Sequence, residues 1–187
     1  MGFAQFIKIV DGETVLISNG FAPTFGAAWD SNPYAAQWSL VEGDPPTNTK
    51  EVVMDVVTAE NHDFSVGDRV TVLAGATPAS FTIVGIAEFA NVGAPGGATF
   101  ALFEFRTAQK LLDSRGEVDL INVVIENNFD INDVKTEITK LDSENLNVIN
   151  AQEAAAEQAD SIKQGLDFFN TILNVFAGIA IFVGAFI

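Results

Sequence analysis

A mixed α+β domain of short strands and amphipathic helices, followed by one long C-terminal helix, is the fold class predicted by three features of the sequence. Turn-broken, β-rich runs fill residues 1–90. Short helical periodicities alternate with further apolar runs over 105–149, and an alanine-rich stretch from Asn150 leads into an uncharged tail at 168–187. Strands alternating with short amphipathic helices give layered α+β or α/β structures. With 187 residues, the chain suits one compact domain plus an extra helix, and a hydrophobic share of 48% is too high for general disorder.

The first pair of strands is expected at residues 6–10 and 14–17, joined by Asp11-Gly12, a strong hairpin signal. Residues 22–26 and 30–33 are turn-rich, and Trp29 and Trp38 read as core or rim anchors rather than as a ligand cage. Pro45 and Pro46 remove donors and restrict the residues before them, so no regular structure is expected over 41–46. Residues 51–55 form a strand candidate, 58–64 a short helix and 65–68 a turn. The clearest sheet signal is the pair 70–73 and 80–84, two β-rich runs expected to be antiparallel neighbours, with 85–89 continuing the second.

Residues 91–99 hold three glycines and Pro95 and read as a loop. Its Gly-Ala-Pro-Gly-Gly stretch lacks the glycine spacing and the Lys-Ser/Thr pair of a phosphate-binding loop. Ala108, Leu111 and Leu112 share one side of a helix over about 105–113, and 120–126 is expected to be an interior strand, apolar on both faces. Asp130 is placed to cap a second helix carrying Ile131, Val134, Ile138 and Leu141, before a short strand at 147–149.

Asn150 followed by Glu153 is a capping-box variant that opens the last helix. Its alanines favour the helical state, and Ile162, Leu166 and Phe169 carry an apolar stripe into the tail. The 20 residues of 168–187 contain no charge. At about 1.5 Å per residue they reach about 30 Å, the thickness of a bilayer's hydrocarbon core. The division expected is therefore a soluble domain over 1–150, a stalk helix over 151–167 and a transmembrane helix over 168–187. Asn170 and Asn174 share a face of this helix and are placed to bond a neighbour or to sit near the interface, while Gly178 and Gly184 lack the close-packing glycine spacing. Glu153, Glu157, Asp160 and Asp167 flank the tail against Lys163 alone, which favours an extracytoplasmic soluble domain. No charged stop follows the tail, and the sequence is expected to be a fragment.

A net charge of −16 opposes binding to nucleic acid or to an anionic lipid surface. The absence of cysteine excludes disulfides, iron–sulfur clusters and thiolate zinc sites. Residues 1–8 lack the basic and apolar segments of a signal peptide. His62, the single histidine, stands beside Glu60, Asn61 and Asp63 with no ligand-spaced partner and reads as a loop or helix-end residue. Asp130, Asn132 and Asp133 resemble part of a calcium loop but lack its glycine and glutamate. No Gly-x-Ser-x-Gly elbow is present. No catalytic, cofactor-binding or metal-binding residue is therefore assigned, and no enzyme activity is expected.

Several blocks in order resemble the extracytoplasmic MacB-like core domain and following helix of FtsX-like and MacB-like ABC transporter permeases. They are Val41-Glu42-Gly43-Asp44-Pro45-Pro46, Glu51-Val52-Val53-Met54-Asp55, Val66-Gly67-Asp68-Arg69-Val70-Thr71-Val72 and Phe81-Thr82-Ile83-Val84-Gly85-Ile86, then Thr107-Ala108-Gln109 and the tail from Gly165. The resemblance implies a location in the cell membrane, a preceding first span and early domain segment outside this sequence, and a second span from Phe168 onward. It also implies a cytoplasmic ABC ATPase, separate or fused, and a second permease copy or homologous half as partners. ATP hydrolysis would be coupled to the outer domain for export, lipid or lipoprotein handling, or mechanotransmission to another protein. A membrane-tethered binding or sensor domain without transport activity is the alternative.

Overall fold

The computed structural model describes residues 1–10, 13–18, 22–32, 34–74, 77–90, 93–141 and 146–184. They fall into two compact units, Met1–Val124 and Ile125–Ile187.

The first unit contains β1 (Gly2–Phe3), β2 (Gln5–Val10), β3 (Glu13–Ile17), β4 (Thr24–Ala28), β5 (Trp38–Gly43), β6 (Glu51–Asp55), α1 (Val56–Asn61), β7 (Arg69–Ala74), β8 (Thr77–Phe89), a 3-10 turn at Pro95–Gly97, β9 (Thr99–Phe103) and α2 (Phe105–Leu111). The strands form one mixed sheet in the order β1-β4-β9-β6-β8-β7-β2-β3, with β5 also on β8. Pairing is parallel for β4 with β9 and for β6 with β8, and antiparallel elsewhere.

Alternation along the strands sends side chains to two cores. Val52 and Met54 of β6, Val70 and Val72 of β7, and Ala101 and Phe103 of β9 join Ala59 of α1 and Ala108 of α2 in one cluster. Val53, Phe100 and Leu102 point the other way, where Trp29, Trp38 and Leu40 partly cover them. Trp38 lies 5.0 Å from Phe100 and 5.3 Å, edge-on, from Phe89. Both tryptophans are therefore rim anchors, as expected.

The β2–β3 pair, β6 and the β7–β8 pair stand where the sequence places them, although the Asp11-Gly12 turn lies outside the described residues. Helix α1 starts two residues earlier than expected, because Asp55 caps it. The turn at 65–68 is closed by Ser65 N–H on the Asp68 carboxylate at 2.9 Å.

Three expectations for this unit are corrected. Residues 24–26 are not turn but part of β4, inside the sheet between β1 and β9. Residues 41–43 belong to β5, since the prolines restrict only the residues immediately before them. Gly43 ends that strand at φ +77°, and the Asp44 N–H then donates to the Val84 carbonyl at 2.9 Å. Residues 120–126 form no strand: Leu120 and Ile121 are 69% and 66% exposed, and no described strand pairs with them. β-Propensity without a neighbour to take the backbone groups does not make a strand. Strand β9, by contrast, was not expected. Every residue of Thr99–Phe103 is buried, so the polar alternation that marks a half-exposed strand is missing.

The second unit contains α3 (Ile131–Leu141) and α4 (Ala151–Gly184). Asp130 caps α3, accepting from the N–H of Asn132 at 2.8 Å and of Asp133 at 3.3 Å. The capping box of α4 is reciprocal, with Asn150 N–H on the Glu153 carboxylate and Glu153 N–H on Asn150 Oδ1, each at 2.9 Å. Residues 147–149 have no ladder partner and are not a strand. Helix α4 runs unbroken for 34 residues, while 185–187 of the expected span lie outside the described residues. Among the described residues no helix is long and apolar enough to cross a membrane, so a span over 168–187 is not confirmed.

Candidate functional site

The most deeply buried carboxylate is Asp55, at the corner where β6 becomes α1. One oxygen accepts the Thr58 N–H at 2.8 Å, closing the first turn of α1, and the other accepts the Phe100 N–H of β9 at 2.7 Å. Beside it Thr58 Oγ1 donates to Thr99 Oγ1 at 3.1 Å. Loss of water around the buried group raises its pKa, and the two backbone donors offset part of that rise. The side chain locks α1 and β9 together. Its oxygens are already engaged by the fold, which leaves no geometry for general acid–base work. Reading the sequence as a strand end missed this role; the signal was an acid three residues before Thr58, a helix-cap spacing.

The other acids with displaced pKa values also serve local structure. Glu51 accepts from the N–H of Thr47 at 2.7 Å and its hydroxyl at 2.9 Å, and those bonds hold its pKa down. Glu104 caps α2 through the N–H groups of Arg106 and Thr107, with the same result. Glu153 is lowered by Lys135, whose Nζ stands 2.6 Å away, and by the Asn150 N–H.

His62 sits at the C-terminal cap of α1, its Nε2 3.3 Å from the Ser18 carbonyl, half-buried and beside the sheet. Asp130, Asn132 and Asp133 meet only as the cap of α3. Among the described residues no three His, Cys, Asp or Glu side chains gather as metal ligands. Surface grooves lie on both units among the described residues. One, along α3, is lined by Asn132, Lys135, Thr136, Thr139 and Lys140; another, in the first unit, by Asp44, Pro45, Thr47, Glu51, Gly67 and Thr82 among others. Neither brings an acid and a base to a common point.

The remaining feature is the exposed tail of α4, where Phe168, Leu173, Phe176 and Phe182 are each more than half exposed. Apolar area of that extent on one helix marks a surface made for another helix or for lipid.

A mixed-sheet unit whose buried acid serves the fold, matched by a family model of extracytoplasmic domains, is a component of the ABC-transporter-type permeases. The family is that of the MacB-like periplasmic core domain, matched over residues 5–141, and the chain belongs to it. No curated protein matches the chain. The match covers the blocks at 41–46, 51–55, 66–72, 81–86 and 107–109 on which the sequence resemblance rests, and stops before the tail.

Proposed function

We propose that this chain is the extracytoplasmic domain and the second membrane span of an ABC transporter permease, and that α4 passes ATP-driven motion of the membrane spans to the outer domain. The observation that carries the reading is the unbroken course of α4 from a doubly bonded cap to an exposed apolar tail. No proline interrupts it. Its 34 residues extend about 50 Å, long enough for a stalk above the bilayer and a span within it. A helix holds its length because each turn is hydrogen-bonded to the next, so axial or tilting motion at one end reaches the other.

Lys163 is the only basic residue over 151–167, and this scarcity of Lys and Arg beside the tail supports an outer location for the stalk. The family match supports a cytoplasmic ATPase partner.

Purification of the protein from host membranes in mild detergent should yield an associated ATPase and ATP hydrolysis in the eluate. A chain retained in the membrane by a single span with no ATPase would reject the permease reading in favour of a tethered binding or sensor domain.

A further inference from the structure

Helix α3 has 11 residues and none of them is buried. Its half-covered positions are Val134, Lys135, Ile138 and Thr139, a narrow stripe along one side, with exposed residues around them. Isolated helices shorter than about 12–15 residues are marginal in water, so α3 depends on contacts outside itself. Its two lysines differ in what they supply. Lys140 turns back to Glu137 on the same helix, with side chains 63% and 73% exposed, and fixes α3 to nothing else. Lys135 leaves the helix for Glu153 of α4, at 2.6 Å, with side chains 32% and 43% exposed.

The oxygen that Lys135 reaches is already part of a cap. Glu153 Oε2 accepts both Lys135 Nζ and the Asn150 N–H, while Asn150 Oδ1 accepts the N–H of Glu153. The capping box therefore fixes the rotamer that presents the carboxylate to the lysine. Released from the box, Glu153 regains its side-chain freedom, and the entropy of holding two long side chains together then offsets what the ion pair gains. Docking of one helix and capping of the other share a single atom.

We propose that Lys135 and Glu153 form a latch that closes only with the capping box, so that opening the first turn of α4 frees α3. Any movement that frays or twists the start of α4 would act on it, and the latch does not rest on the permease reading. By linkage the converse holds, and loss of the lysine loosens the first turn of α4.

Hydrogen exchange of the full chain in mild detergent tests the coupling. Lys135→Met keeps an unbranched, helix-favouring side chain and removes its charge. It should speed exchange about two- to five-fold in α3 and in the first turn of α4, whereas Lys140→Met should leave α4 unchanged. Asn150→Ala, a change on the α4 side, should speed exchange in α3 by a similar factor, yet add nothing there when Lys135 is already Met. Lys135→Arg should keep wild-type exchange in both helices. An α3 indifferent to Asn150→Ala, or additive effects of the two substitutions on α3, would overturn the proposal.

Discussion

Asp55 shows how far a single side chain can commit a fold. Two backbone donors from different elements converge on one buried carboxylate, and Asp55→Asn would turn an amide N–H₂ toward one of them. The variant should lose about 2–3 kcal/mol, read from chemical unfolding followed by tryptophan fluorescence. The pH dependence has a definite sign. Burial raises the folded pKa of Asp55 above its ordinary 3.8, so its contribution to stability is fully present below 3.8 and lost as pH rises through the folded value. Glu51, Glu104 and Glu153, with folded pKa values below the ordinary 4.5, act oppositely, and their contributions are lost as pH falls. Asp55→Asn removes the opposing group, so the stability gap between wild type and variant should widen as pH falls through the raised Asp55 pKa towards 3.8; a constant gap would show that the Asp55 pKa is unshifted. Gly43 makes a second demand on residue type. Its φ is +77°, and a Cβ there would stand 2.1 Å from the Val84 carbonyl oxygen. Gly43→Ala should cost about 2 kcal/mol or more and loosen the β5–β8 pair, seen as faster amide exchange across it.

At the scale of elements, the helices and the strands β6, β7 and β8 were legible, whereas β4 and β9 were not. Asp130 and the Asn150–Glu153 box announced α3 and α4 because a cap is a local pattern, complete within four residues. Asn150→Ala should remove about 1 kcal/mol from the start of α4 and raise exchange rates in its first turn. Unchanged protection there would mean that Glu153 and Lys135 hold the turn without the cap. β4 and β9 escaped the sequence reading for different reasons. Thr99–Phe103 is buried throughout and lacks polar alternation, whereas Thr24–Ala28 contains Gly26 and follows Pro23, which read as turn residues. The error at 120–126 ran the other way, since apolar, β-branched composition was present but a ladder partner was not.

For the whole molecule, a net charge of −16 bears on how it meets a membrane. If attachment is through the apolar tail of α4, it is not electrostatic, and washing membranes with about 1 M salt should leave the protein bound. Release by salt would point to a peripheral association and reject the proposed span. The sequence by itself determined the α+β class, the hairpin and helix positions, the unbroken final helix and the family, because those depend on local periodicity, capping and the order of short blocks. Only the tertiary structure decided that β4 and β9 lie inside the sheet, that 120–126 is not a strand and that Asp55 is a buried clamp. Each of those depends on which distant backbone groups are brought within hydrogen-bonding reach, and residue type alone does not encode that distance. The apolar tail that defines the chain's proposed role was legible from composition, whereas the extent of its exposure came from the folded helix.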